Sequence, residues 1–369
     1  MNLPVRTPSL AGEDLLSRAA DKLLALPYRS WRFGDSIAFE AMVDASRALG
    51  RDRWREFARG FIRSWAASAT EHFRLDCTAP GLAMIKIFED TGDQLVLDGA
   101  RRLADYLMTR PTMSGAFQTF DRASLQPPFS GEELSPADRA LLDNPPAGVY
   151  VDCLHFDPPF FAALGRVTGD SVYADVAASQ ALAYIRLLQD QESGLFHHFA
   201  LAGQPHAYIS SWGRGQGWAL LGLTDLVALL PSDHPDRVEL CAAATRLIDG
   251  VLHYQSANGS WHTLIDDPTS GAESTTSAFL AAGFHRAAEL GLVSRPTVRS
   301  AIGNAWAAVL SHERDGLLRD ASDAVRSSTV RSHYTHVEVD VISPWSQGAL
   351  VLMLAGDDSA TRGSSGGPR

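Results

Sequence analysis

The stretch CLHFDPPFFAALGRVTGDSVYADVAASQALAYIRLL, residues 153–188, contains one whole unit of the fold. Phe160, Ala163, Leu164 and Val167 recur at helical spacing, so its first half predicts a helix with an apolar face. Thr168-Gly169-Asp170 then breaks the pattern, because glycine tolerates the left-handed conformation that ends one helix and aspartate caps the next. Residues 171–188 resume as a second helix. A helix entered from a long loop and left through a tight turn makes a hairpin with one elaborate end and one plain end.

The same unit recurs along the chain. Helix-like segments begin near Gly34, Pro80, Cys153, Gly215, Ser274 and Ser343, each after a long, polar, aromatic-rich loop. A second set, roughly 52–69, 94–109, 171–188, 235–254 and 295–312, is reached through turns such as Gly50-Arg51-Asp52, Thr91-Gly92-Asp93 and Pro231-Ser232-Asp233. The opening helix, near 10–26, is left to pair with the last segment, 343–355, which closes six hairpins into a ring. The expectation is an all-α chain folded as an (α/α)6 barrel, with short turns at one end and the long loops, hence any site, at the other. Successive inner starts lie about 46 to 73 residues apart, too irregular for a strict solenoid. One barrel over 1–355 and a disordered tail over 356–369 are expected.

Composition narrows the function. An apolar fraction of 45% suits a large core, and no apolar run approaches the ~20 residues that span a bilayer. Met1 to Arg6 lacks a basic stretch followed by an apolar run, so export is not expected. Cys77, Cys153 and Cys241 are odd in number and far apart, which suggests neither a disulfide framework nor a zinc site and fits a reducing cytoplasm. A formal charge of −11 without a basic cluster opposes nucleic-acid binding, yet leaves room for a small acidic ligand held by local arginines. Oligomeric state is left open.

The loops before the inner helices carry the candidate chemistry. In order they end in Trp31-Arg32-Phe33, Leu75-Asp76, Val149 to Asp152, Trp212 to Gly215, Trp261-His262 through Glu273, and Tyr334 through Asp340 to Trp345. Aromatic faces stack on sugars and carboxylates move protons, so the set suits a carbohydrate. Taken singly, such an aspartate also serves as a helix cap and such a tryptophan as a core seal. Asp152 is the sharpest candidate, and Asp76 stands in the equivalent place on the preceding hairpin. Two facing carboxylates push their pKa values apart. In Ser211-Trp212-Gly213-Arg214-Gly215-Gln216-Gly217-Trp218, three glycines allow a close backbone approach and Arg214 suits a two-point grip on a carboxylate. His197-His198 and His333-x-x-His336 have no third ligand at a convincing offset, so neither a metal nor a cofactor is expected.

Together these residues resemble the unsaturated rhamnogalacturonyl hydrolases, glycoside hydrolase family 105, and the related unsaturated glucuronyl hydrolases of family 88. The resemblance lies in Asp152 with Pro159-Phe160 and Thr168-Gly169-Asp170, in Trp212 to Trp218 with Gln216 where the family has asparagine, and in Glu273 to Phe279. It covers about residues 30–355. It implies a six-hairpin glycosidase-like barrel that hydrates the C4=C5 double bond of a 4,5-unsaturated uronic acid at the non-reducing end of a small acidic oligosaccharide. Asp152 would protonate C4 and take a proton from the water that adds at C5, with Asp76 as an orienting partner. Trp31, His198, Trp212, Arg214, Gln216 and Trp218 would bind substrate. The chain departs from the family in lacking a histidine after Gly115-Ala116-Phe117, in inserting Asp121 to Asn144, and in carrying His155 and Asp157. Two other readings are a barrel epimerase or isomerase using His155, His198 and His336, and a carbohydrate-binding barrel without catalysis.

Overall fold

A computed structural model describes residues 10–28, 32–68 and 79–356, with side chains from residue 12 onward. Trp31, Asp76, Cys77 and the tail from residue 357 lie outside the described residues.

The inner helices are α2 (Phe33–Leu49), α4 (Gly81–Thr91), α7 (Cys153–Thr168), α9 (Gly213–Leu229), α11 (Ser274–Glu289) and α13 (Pro344–Ala355). Each packs on the next, and α13 returns to α2, which closes the ring. Outside them run α1 (Leu10–Leu24), α3 (Arg53–Ala67), α5 (Gln94–Met108), α8 (Ser171–Leu188), α10 (Arg237–His253) and α12 (Arg295–Ser311), with α1 against α13 as the ring requires. The difference in burial follows position. In α9 nearly every residue from Gly213 to Val227 is buried, whereas α12 buries a single stripe from Val298 through Ala301, Ala305 and Ala308 to Val309. At the plain end, Gly50 and Gly169 terminate α2 and α7 at φ 61° and 72°, the left-handed region in which a Cβ would be resisted.

Inner helices approach closely where side chains vanish. Pro158 has no N–H for the Leu154 carbonyl in α7. Gly222 of α9 passes that carbonyl so closely that a Cβ there would stand 2.3 Å from its oxygen.

The long loops hold short structure that helical periodicity does not reveal. Strands β1 (Thr112–Met113) and β2 (Ala116–Phe117) form a tight hairpin, α6 (Pro136–Asp143) lies within the insertion, and β6 (Glu313–Arg314) pairs with β7 (Leu317–Leu318). More consequential is the three-stranded antiparallel sheet of β3 (Gly148–Tyr150), β4 (Phe199–Leu201) and β5 (Ala207–Tyr208). It clasps two long loops together at the elaborate end of the barrel. The insertion closes over the same end: Gln126 N donates to Ser327 O, Ser130 Oγ meets Ser332 Oγ at 2.9 Å, and Phe129 stacks on His333.

Candidate active site

A cavity of about 420 Å³ opens at the long-loop end of the barrel. Its wall includes Asp152, His198, Trp212 and Arg214 from the sequence expectations, and Thr119, Tyr150, Arg32 and Arg326 beside them.

The β3–β4 pairing brings Asp152 and His198 together. Tyr150 is in register with Phe199, and Val151 N donates to His198 O at 2.9 Å, so the residues just beyond each strand end are neighbours. Asp152 Oδ2 stands 3.9 Å from His198 Nε2. Asp152 precedes α7 but its carboxylate makes no capping hydrogen bond there. The capping alternative for this residue therefore fails, and the positive end of the helix still favours its negative charge. Glu273 behaves in the opposite way. Its Oε2 caps α11 through Thr276 N at 2.6 Å, and its Oε1 accepts from Ser322 N at 2.9 Å.

His198 is buried and held on every side. Its Nδ1 meets Tyr334 Oη at 2.5 Å, its ring lies 4.0 Å from the Trp212 ring centroid, and Tyr150 meets it edge-on. Burial, with Arg214 and His333 adding to it, pulls the imidazole well below its ordinary pKa, so it is neutral. Burial also raises the Tyr334 phenol well above its ordinary value, against a hydrogen bond from the Ser328 backbone. A protonated Tyr334 donating to Nδ1 leaves the imidazole proton on Nε2, on the side of Asp152. Tyr334 was legible only as part of an aromatic loop; nothing in its local sequence marks it as the partner of a histidine 136 positions earlier.

A pH dependence of stability follows from the neutral histidine. The unfolded chain protonates such a group near its ordinary pKa of 6.5 while the folded chain does not. Below that value the unfolded state binds more protons, so stability falls as pH drops from about 6.5 towards the folded pKa. His197, His262 and His333 are shifted downward by burial as well and act in the same direction. The urea midpoint should decline over this window, and more gently in His198→Gln.

Arg214 is 2% exposed and lies between the rings of Trp212 and Trp345, 5.4 and 6.0 Å from their centroids. Its Nη1 donates to Ser322 O and Oγ at 3.0 and 2.8 Å, its Nη2 to Asp323 O at 2.9 Å, and Glu273 Oε1 is 3.9 Å away. Much of its fork is thus committed to the loop before α13, so a free two-point grip gives way to a narrower offer. Its Nε has no hydrogen-bond partner among the described residues, and neither has Trp212 Nε1. Buried donors left unpaired beside a cavity are suited to a ligand's acceptors.

Three features of the glycine-rich segment are placed differently from expectation. A Cβ at Gly213 would stand 2.6 Å from His262 O and one at Gly215 2.7 Å from the Trp212 ring, so these glycines admit the protein's own neighbours rather than a ligand. Gln216 is fully buried off the cavity wall. Its Oε1 accepts from Phe196 N and its Nε2 donates to Phe196 O, both at 2.8 Å, which ties the loop carrying His198 to α9. Trp218 is buried among Phe33, His155, Phe156 and Phe279, beneath the site. In the stretch after Gly115-Ala116-Phe117, which carries no histidine, Thr119 lines the cavity and its Oγ1 accepts from Tyr150 N at 3.0 Å.

The other histidines do not converge here. His155 lies off the cavity wall, 3.3 Å from Glu40 and 3.9 Å from Asp225. His333 spends its nitrogens on Val325 O and Phe129 N, and His336 lies off the wall as well. A facing pair of acid–base histidines is not assembled. No helix of the described residues is long and apolar enough to cross a membrane.

Comparison with known proteins agrees with this architecture. An unsaturated rhamnogalacturonyl hydrolase, YesR of Bacillus subtilis, is 21% identical over 348 residues, 93% of this chain and 95% of that protein. A crystal structure of a possible member of glycoside hydrolase family 105 from Salmonella enterica superposes with a TM-score of 0.80 at 20% identity, covering 96% of this chain and 98% of the other. The unsaturated glucuronyl hydrolase of Bacillus sp. GL1 superposes with a TM-score of 0.67 at 19% identity, covering 94% and 96%. These structures share the fold. The sequence profile of glycosyl hydrolase family 88 matches residues 17–357, nearly the whole ring of hairpins and every described residue of the cavity, and the chain belongs to that family.

Proposed function

We propose that the protein removes a 4,5-unsaturated uronic acid from the non-reducing end of lyase-generated oligosaccharides by hydrating the C4=C5 enol ether. The observation that carries this is Asp152: a carboxylate on the cavity wall, free of helix capping, beside a neutral His198 and aromatic faces. Asp152 delivers a proton to C4, water adds at C5, and the proton that this water sheds restores Asp152. The C5 hemiketal then opens to a ketone, and the hemiacetal left at C1 collapses to release the second sugar with its own oxygen.

His198 keeps its Nε2 proton towards Asp152 and the incoming ligand, and Tyr334 holds that tautomer. Arg214 Nε and Trp212 Nε1 meet oxygen atoms of the uronate. Gln216 and Trp218 act from beneath by fixing these groups. Asp76 is assigned to orientation and Trp31 to substrate binding. Among the described residues on the cavity wall Asp152 is the one carboxylate, which makes it the group to carry the proton. The free thiols of Cys153 and Cys241 suit a reducing, cytoplasmic setting.

The test compares an unsaturated uronyl disaccharide with its saturated counterpart. Loss of the ultraviolet absorbance of the conjugated acid should accompany release of the second sugar, with solvent deuterium entering one face of C4 in samples quenched early. Comparable cleavage of the saturated uronide would return the chain to ordinary glycosidases.

A further inference from the structure

Two arginines on the cavity wall have no part in the chemistry above. Arg32, at the entry to α2, and Arg326, in the loop before α13, both line the cavity and both are exposed. Among the described residues, neither guanidinium has an ion-pair or hydrogen-bond partner. Other arginines are paired, Arg59 with Asp93, Arg286 with Asp225 and Arg331 with Asp266, and those without a partner among the described residues, such as Arg122 and Arg299, lie off the cavity wall. A molecule of formal charge −11 therefore displays two uncommitted cations at one opening.

Arg326 is also held in a conformation that its own Cβ resists. Its φ is 55°, in the left-handed region that glycine or asparagine normally fills. The residues on either side prevent relaxation. Val325 O accepts from His333 Nε2 at 2.8 Å, while Ser327 Oγ meets Tyr150 Oη at 2.7 Å and Ser124 O at 2.8 Å. An arginine is thus kept, against local preference, at the tip of a loop pinned on both flanks.

Depth separates these groups from Arg214. Arg214 and His198 are 2% and 4% exposed, at the floor near Asp152, whereas Arg32 and Arg326 are exposed at the rim. A cavity of about 420 Å³ falls in the range of roughly 300–1,000 Å³ that encloses ligands larger than one sugar ring. With the unsaturated uronic acid at the floor, the sugar attached to it lies towards the rim.

We infer that Arg32 and Arg326 form an outer anion subsite, which selects substrates whose sugar next to the unsaturated uronic acid carries a negative charge, a carboxylate or a sulfate. The inference rests on the hydrolase reading above. It is tested with three disaccharides that share the unsaturated uronic acid and differ in the neighbouring sugar: neutral, uronate or sulfated. Wild-type kcat/KM should favour at least one charged neighbour over the neutral one, and the larger advantage identifies the anion. That advantage should shrink with added salt. In Arg32→Ala/Arg326→Gly it should fall about tenfold, the scale of two partly exposed ion pairs.

Arg326→Gly alone should melt higher than wild type, because glycine relieves the left-handed strain. Weakened selection in Arg326→Gly is therefore not a result of unfolding, and a melt of the double variant separates the two effects there. Equal wild-type rates on all three substrates, or a preference that survives in the double variant, would overturn the subsite. A uniform loss on all three would also overturn it, by placing the arginines on the unsaturated uronate itself. Inactivity of the wild type on all three, by contrast, removes the hydrolase reading and the subsite with it.

Discussion

Asp152→Asn is expected to lose at least ~10²–10⁴-fold in kcat on an unsaturated uronyl disaccharide, the range in which a positioned acid or base contributes. The amide preserves the shape of the side chain but cannot deliver a proton to carbon or recover one from water. Its fold should be intact, because the carboxylate makes no capping hydrogen bond to α7 and its removal leaves the helix start unchanged. The paired measurement is decay of the conjugated-acid absorbance together with a thermal melt. Near-wild-type decay in a variant that melts normally would remove Asp152 from the mechanism. Loss of both activity and melting temperature would assign it a structural role instead.

Arg214→Met should cost about 3–5 kcal/mol of stability, the usual penalty for removing one partner of a buried ion pair. Arg214 and Glu273 are 2% and 1% exposed, and the guanidinium also satisfies Ser322 O and Asp323 O in the loop before α13. Methionine fills part of the space and leaves the Glu273 charge without its cation. Adding Glu273→Gln should return part of the loss, so the double variant falls short of the sum of the single ones. Additive costs, or an Arg214→Met protein as resistant to urea as wild type, would show that the pair does not hold the loop. Arg214→Lys separates binding from stability: it keeps the charge but loses the planar fork, and KM for the unsaturated disaccharide should rise.

Much of the barrel is legible without coordinates because the information is local. Phe160, Ala163 and Leu164 declare a buried helical face, and Gly169 at φ 72° confirms the turn read from Thr168-Gly169-Asp170. Pairing the first helix with the last follows from the odd element left over, and α1 does pack on α13. Asp152, Trp212 and Arg214 could be named because they stand where long loops enter inner helices, and His198 because of the family resemblance; all four line one cavity.

What the sequence by itself determined is therefore the periodic part: hairpin order, ring closure, the end that carries long loops, and which loop ends hold acid, cation and aromatic groups. Tertiary structure alone decided how those groups are used. The β3–β4 register sets Asp152 beside His198, and two or three residues of strand leave no alternating pattern to read. Gln216 and Trp218 share a motif with Arg214 yet face inward, because successive helix positions point in different directions around the axis. Tyr334, Ser322 and Arg326 come from a loop more than 100 residues beyond Arg214, in keeping with the separation of 108 between Arg214 and Ser322. Contacts across such distances are set by packing the closed ring, and no local propensity encodes them.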